Sequence, residues 1–329
     1  MQSILAVTFP FFALVLLGYL AVRRGALPEG AIPGLNAFVL YFALPCMLFR
    51  FGASMPFAQL LNPVLVGIHL ACALIVVFFT IGITLRRQAG GPGVPMKDAA
   101  FGALVASFPN SGFMGFPLLI GLLGEGSAGP LIGCIVVDVV ITSSLCLALA
   151  QLRPATETAT RHDTLATFGR ALRGALSNPL PWSIALGALV AASGIRLPGP
   201  VSEIVKLLAD SATPVALFTI GAVLWRAQQH ATTRTPVGAW LPIVVIKLVV
   251  HPMLVLAAGL LAKAAGLAVS PFALLVLVLN AALPSASNVA ILAERYGADN
   301  GRVTRIIMWS TAIAFVSFSA VAWIFGVRQ

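Results

Sequence analysis

Apolar runs of about twenty residues, set apart by short polar connections, recur along the whole chain. A helix that crosses the hydrocarbon core of a bilayer needs about 20 mostly apolar residues. On that criterion ten spans are predicted, over 4–22, 32–52, 63–85, 99–122, 128–150, 179–194, 201–225, 236–260, 271–293 and 303–326. The first run lacks a basic stretch before it and a small-residue cleavage pattern, and carries Arg23 and Arg24 after it. It therefore reads as a span rather than a secretory signal. The longest polar stretch, 151–177, holds Arg153, Glu157, Arg161, His162, Asp163, Arg170 and Arg173. It reads as a linker between a first unit of five spans, 1–150, and a second, 178–329. The expected fold class is an all-α membrane protein.

Composition agrees. Of the 329 residues 59% are hydrophobic and only 9% charged, where soluble domains carry roughly 25% charged residues. Lipid rather than water must solvate most of such a surface, which sets aside a soluble enzyme, a nucleic-acid module and a disordered chain. The net charge of +10 then has a topological reading. Connections between odd and even spans hold fourteen basic residues, among them Arg23, Arg24, Arg86, Arg226, Arg295, Arg302 and Arg305; the opposite side, with Arg50, holds five. The positive-inside rule makes those connections and the 151–177 loop cytoplasmic and places both termini outside, in a multi-pass protein of the inner (plasma) membrane. Trp182, Trp225, Trp240 and Trp323 fall near expected helix ends, where interfacial aromatics belong. Cys46, Cys72, Cys134 and Cys146 lie inside apolar runs without metal-type spacing and read as small buried hydrophobes.

Shifting the chain by 169 positions superposes Pro10 on Pro179, Gly18 on Gly187 and Gly25 on Gly194. The same shift lays Pro45–Gly52 on Pro214–Gly221, both reading P-x-x-L-F-x-x-G. Matched Pro and Gly carry weight because they constrain the backbone. An odd number of spans per half makes the second half enter the membrane from the opposite face. The expected architecture is a 5+5 inverted repeat, which recurs among secondary transporters; duplication in a channel or scaffold is the alternative.

The fourth span contains Ser107-Phe108-Pro109-Asn110-Ser111-Gly112-Phe113-Met114-Gly115-Phe116-Pro117, and the ninth Asn280-Ala281-Ala282-Leu283-Pro284-Ser285-Ala286-Ser287-Asn288. Proline removes a donor and frees carbonyls, and irregular backbone at membrane depth is tolerated only inside protein or beside a wet cavity. Either these are kinks patched by Ser and Asn, or they form a binding site. Two breaks at equivalent positions of an inverted pair favour the site. The second half-helices are expected to begin around Gly112 and Ser285 and to offer N-terminal N–H groups to an anion such as a carboxylate. Asn110, Ser111, Ser285, Ser287 and Asn288 would add directional hydrogen bonds.

These segments resemble the auxin efflux carrier family of membrane permeases, in its bacterial branch often labelled malonate transporters. The resemblance rests on Leu44-Pro45-Cys46-Met47-Leu48-Phe49, Asn110–Pro117, Lys247-Leu248-Val249-Val250-His251-Pro252 and Leu283–Asn288, and covers essentially the whole chain. It implies ten helices in a five-plus-five inverted repeat, crossing broken helices 4 and 9, and elevator-type transport of organic anions. The long cytosolic loop of plant members is absent here, so their regulation by phosphorylation is not carried over.

A charge inside the membrane must be paired, neutralised or wet. Asp138 in span 5 is either a proton-coupling carboxyl or half of a static ion pair, with Lys247 as one partner. The alternative for Lys247 is a counter-charge for an anionic substrate. His69 and His251 are assigned mainly to packing, with a proton relay as the alternative and His251 kept as a coupling candidate. Asp210 is a weak, shallow candidate, and Arg50 is expected to snorkel outward.

No P-loop, G-x-S-x-G or H-E-x-x-H motif occurs in the sequence. The expectation is a secondary transporter of small mono- or dicarboxylates, malonate-like, working by alternating access. Its substrate site would hold Pro109, Asn110, Ser111, Gly112, Pro284, Ser285, Ser287, Asn288 and Lys247, with Asp138 and His251 for coupling. No cofactor or metal is expected; H+ or Na+ is left open as the coupling ion and a homodimer as the assembly. A passive anion channel is the first alternative and an intramembrane enzyme a remoter one.

Overall fold

A computed structural model describes residues 2–54, 62–86, 94–151, 178–195, 197–229 and 235–327. The expected linker, beyond Gln151, lies outside the described residues. Every regular element among them is helical: α1 (Gln2–Arg23), α2 (Ile32–Phe38), α3 (Leu44–Ser54), α4 (Pro63–Arg86), α5 (Met96–Ser107), α6 (Phe116–Leu123), α7 (Ala128–Val136), α8 (Ser143–Ala150), α9 (Pro179–Ser193), α10 (Gly199–Gln229), α11 (Val237–Val245), α12 (His251–Ala264), α13 (Pro271–Ala281), α14 (Asn288–Tyr296) and α15 (Asn300–Ile324). Of four π-helical turns among the described residues, Val39–Ala43, Val137–Thr142 and Ile246–Val250 join successive α-segments and Ser111–Gly115 leads into α6.

Among the described residues seven continuous helices are long and apolar enough to cross a membrane: Ala6–Arg23, Glu29–Ser54, Pro63–Arg86, Glu125–Ala150, Gly199–Gln229, Val237–Ala264 and Asn300–Ile324. Of the other three expected spans, 179–194 is the single helix α9, while 99–122 and 271–293 are interrupted near their middles. Large apolar side chains such as Phe9, Leu16, Phe78, Phe79, Val316 and Ile324 remain exposed, as a lipid-facing surface requires.

The π turns have a local cause. Three of them are followed by a residue and then proline: Leu44-Pro45, Phe116-Pro117 and His251-Pro252. Proline lacks the N–H and its ring crowds the carbonyl four residues back, so the turn before it widens. The amides of Leu44, Phe116 and His251 accordingly donate to the carbonyl five residues earlier. In the fourth turn the Ser143 hydroxyl donates 2.5 Å to the Val139 carbonyl, competing with the backbone donor as Ser and Thr do inside helices.

Helix packing rests on glycine. Inside lipid the hydrophobic drive between helices is lost, and close van der Waals contact through small residues replaces it. A Cβ at Gly18 would collide with the Phe218 carbonyl, and one at Gly221 with the Val15 carbonyl, so α1 and α10 touch backbone to backbone. A Cβ at Gly187 would collide with the Phe49 carbonyl, and one at Gly52 would approach the Ile184 carbonyl at 2.7 Å, joining α9 to α3. The second set of contacts is the first with each residue moved by 169 positions. Gly25 and Gly194, also superposed by that shift, both adopt positive φ, 72° and 66°, where glycine carries no Cβ penalty.

Elsewhere α4 packs on α5 and α12, and α12 on α13. Cys72, Cys134 and Cys146 are buried, Cys46 is half-buried, and all four are free thiols. Arg50 reaches the Asp210 carboxylate at 2.9 Å, an exposed pair that ties α3 to α10.

Candidate functional site

The two interrupted spans meet at their breaks. After α5 the chain becomes extended at Phe108 (φ −94°, ψ 99°), and Pro109 provides no donor. On the other side α13 ends at Ala281 and α14 begins only at Asn288. The freed groups satisfy one another. Asn110 N–H donates to the Pro284 carbonyl at 2.9 Å, and Ala286 N–H to the Phe108 carbonyl at 3.0 Å. Pro109 and Ser285 thereby form an antiparallel bridge, the one isolated β-type pair among the described residues. Side chains lock it: the Ser285 hydroxyl donates to the Val105 carbonyl at 2.6 Å, and Ser285 N–H to the Ser310 hydroxyl at 3.2 Å. Buried backbone left unpaired would cost about 1–3 kcal/mol per group, so this exchange is what lets both helices break inside the protein.

The junction sorts the expected site residues. Ser285 is fully buried with both its hydroxyl and its amide engaged, so it supports the junction rather than opening a helix. The second half-helix starts three residues later than expected, at Asn288, because those bonds keep Ser285 extended. In the first half the expectation holds to within a residue: Ser111–Gly115 leads into α6. Neither Asn110 nor Ser287 caps the helix it precedes with its side chain. Gly112 is half-buried and borders open space, whereas a Cβ at Gly115 would collide with Leu283. The Ser111 hydroxyl leans toward the Pro109 carbonyl at 3.5 Å.

Asn280 is the residue that the sequence reading left out of the site. It is fully buried on the last turn of α13, and neither of its side-chain polar atoms has a partner. Its Oδ1 lies 3.4 Å from where a Cβ of Gly115 would stand, so it faces the π turn of the first half. The Asn288 Oδ1 is also buried and unpartnered. Buried polar atoms are almost always bonded, which sets the Asn280 amide and the Asn288 Oδ1 apart from the other polar groups of the junction. An amide inside the apolar run Phe272–Ala281 was the available signal.

A second polar cluster lies beside α13. The His69 Nε2 is 2.9 Å from Asp138 Oδ1, and both side chains are fully buried. Lys247 Nζ donates 2.9 Å to the Ala281 carbonyl, at the end of α13, and stands 3.3 Å from His251 Nδ1. The His69 and His251 rings are 6.3 Å apart between centroids. Asp138 therefore pairs with His69 and not with Lys247. Lys247 directs its ammonium at a helix C-terminus, where positive charge is favoured.

Beside α14 a cavity of about 550 Å³ is lined by Ile32, Asn36, Leu40, Arg226, Glu294 and Arg295, among others. No group of three or more His, Cys, Asp or Glu capable of holding a metal occurs among the described residues.

Seven long apolar helices and two interrupted ones joined at a buried polar junction define the class: a multi-pass membrane transport protein. The chain belongs to the membrane transport protein (Mem_trans) family, that of the auxin efflux carriers, whose profile matches residues 3–322. It is 28% identical over 328 residues to a Rhizobium meliloti (strain 1021) protein provisionally named a malonate transporter, covering 98% of this chain and 96% of that one. It is 26% identical to the uncharacterized transporter YfdV of Escherichia coli K12, covering 97% and 96%. Auxin efflux carrier component 8 of Arabidopsis thaliana is 22% identical, covering 89% of each chain. These relatives are transporters, not enzymes.

Proposed function

We propose that the protein is a secondary active transporter that moves small carboxylates, with malonate as the leading candidate, across the plasma membrane by alternating access. Ten helices form two inverted repeats of five, 1–150 and 178–329, with both termini outside and 151–177 in the cytoplasm. Broken helices 4 and 9 cross at the substrate site. The contacts of Gly18 and Gly221 reproduced by Gly187 and Gly52 support the repeat. α1, α3, α9 and α10 form the static bundle in this reading, and the remaining helices carry the site against it.

The observation that carries the reading is the hydrogen-bonded junction of Pro109 and Ser285 with uncapped half-helices and open amides around it. Helix N-termini favour anions, and Asn110, Asn280 and Asn288 add donors that tell a carboxylate from a halide. The name of the Rhizobium relative selects malonate as the first substrate to try.

Proteoliposomes preloaded with unlabelled malonate should take up labelled malonate by exchange. An imposed ion gradient should concentrate it. Simple equilibration at a rate that never saturates would identify a passive channel instead. A stability screen of two- to five-carbon carboxylates extends the test, since a ligand stabilises the state that it binds.

A further inference from the structure

His69, Asp138, Lys247 and His251 come from four segments of the chain and form one buried network whose open valences are complementary. We propose that this network takes up one proton per carboxylate transported, and that His69 Nδ1 is the atom that receives it. The inference rests on the carboxylate-transport reading and deepens it by naming the coupling ion and its seat.

The hydrogen bonds determine the protons. With Asp138 ionised, the His69 Nε2 must carry its hydrogen to donate to Oδ1 at 2.9 Å. His69 Nδ1 is then a bare lone pair, buried, with only the Cys134 thiol beside the ring. Across the gap the Lys247 ammonium donates to His251 Nδ1 at 3.3 Å, so the hydrogen of His251 sits on Nε2, which also lacks a partner. An unpaired acceptor on one ring and an unpaired donor on the other thus belong to rings whose centroids are 6.3 Å apart.

In this state one carboxylate and one ammonium cancel, and both imidazoles are neutral. A proton from water binding to His69 Nδ1 gives an imidazolium and leaves the network with one net positive charge. No other bond changes, and the proton returns to water on the far side. The extra charge compensates one negative charge of the substrate. The route to the substrate site is short: Lys247 holds the Ala281 carbonyl, and the preceding residue is Asn280, whose amide is open at the junction. Asp138 and Lys247 each occupy the second position of a π-helical turn, a distortion that recurs at functional sites.

Few other ionisable groups face the network. α4 adds Cys72, with Arg86 only at its end; α7 adds Cys134, whose thiol lies beside His69; α8 adds Cys146. α12 adds Lys263 at its far end, and α11 and α13 add none. α5 and α15 carry Lys97, Asp98, Arg302 and Arg305 in their first two turns. Thr84, against which Arg302 packs, is about 22 Å along α4 from His69 at 1.5 Å per residue.

The test uses proteoliposomes with the membrane potential clamped at zero by potassium and valinomycin, and labelled malonate as the probe. An acid-outside gradient of one pH unit should accumulate malonate about tenfold in the wild type, the free energy of one proton per turnover. Asp138→Asn fixes the network at one positive charge and should retain exchange at equal pH while losing that accumulation. His69→Gln fixes it at zero and should lose both the accumulation and any gain in malonate affinity on acidification. Accumulation that follows a sodium gradient instead, or survives in both variants, overturns the proton site. Absence of exchange in the wild type overturns the carboxylate reading itself. Should one variant not fold, the other and the wild-type gradient experiment still decide.

Discussion

Gly18 lies so close to Phe218 that a Cβ at position 18 would occupy the place of the Phe218 carbonyl, and Gly187 stands in the same relation to Phe49. The two contacts exchange partners under one shift of 169 residues, as two interlocked copies related by a twofold axis would. The obstructing atoms are backbone, which cannot turn aside as a side chain does. Gly18→Val and Gly187→Val should therefore each destabilise the protein by about 3 kcal/mol or more, at or above the usual range for overpacking. Thermal unfolding in detergent should show losses of similar size. Ala at Gly67, where a Cβ meets nothing, serves as the control.

The three asparagines at the junction, Asn280 and Asn288 with unpartnered amide atoms and Asn110 beside them, give a prediction for binding. Asn110→Ala, Asn280→Ala and Asn288→Ala should each weaken malonate binding, by about tenfold for a hydrogen bond to a charged group worth 1.5–3 kcal/mol. Membrane insertion and monodispersity should be unchanged. Ser285→Ala should behave differently, because it strips the Val105 carbonyl of a 2.6 Å donor. It should lower thermal stability by about 1–3 kcal/mol. Unaltered binding in all three Asn variants would place the substrate elsewhere.

How far the fold can be read ahead follows from where each signal resides. Span positions are local, set by run length, and seven of the ten expected spans are long apolar helices. The interruptions of 99–122 and 271–293 were legible because Pro109 and Pro284 act on their own backbone. Partner choice is not local. Asp138 and Lys247 were equally open to each other in sequence, and only the packing of α4 against the 137–142 turn hands Asp138 to His69. Asn280 escaped notice for the same reason, since an unsatisfied amide is recognised only when its neighbours are known. Arg302 was expected to be a cytoplasmic anchor, yet it is buried.

That buried arginine carries a stability prediction. Arg302 donates to the Ala239 carbonyl at 2.9 Å and the Asp98 carbonyl at 3.3 Å, and touches the Thr84 hydroxyl at 3.5 Å. The Asp98 carboxylate in turn accepts the Asp299 amide at 2.7 Å. One guanidinium thus joins α4, α5, α11 and α15 at one end of the bundle. Arg302→Gln cannot reach all three acceptors and should lower stability by about 2 kcal/mol. Arg302→Lys should rescue only part of it, because an ammonium lacks the planar fork. A fully restored melting temperature in the Lys variant would reduce the residue's role to charge alone.

Orientation is tested by side-specific labelling. In a cysteine-free background, single cysteines at Gly25 and Gly297 should react with a membrane-impermeant maleimide only from the cytoplasmic side. Those at Gly126 and Gly194 should react only from outside. All four glycines lie in connections or at helix ends. Equal labelling from both sides, or the reverse pattern, would overturn the topology set by the basic residues.

The cavity beside α14 supplies a kinetic prediction. Its wall carries two cations, Arg226 and Arg295, and one anion, Glu294, and α14 runs from it to Asn288 at the junction. Under the proposed topology it opens to the cytoplasm, where it would act as the funnel through which an anionic substrate arrives. Charges along a cleft raise the local concentration of an oppositely charged ligand without touching it in the bound state, and salt screens them. Arg226→Gln and Arg295→Gln should therefore raise KM for malonate presented at the cytoplasmic face several-fold, with kcat and KM at the other face unchanged. Glu294→Gln should lower the cytoplasmic KM. All three differences should shrink as ionic strength increases. A change in kcat, or an equal effect from both faces, would instead make these residues part of the moving interface between α10 and α14.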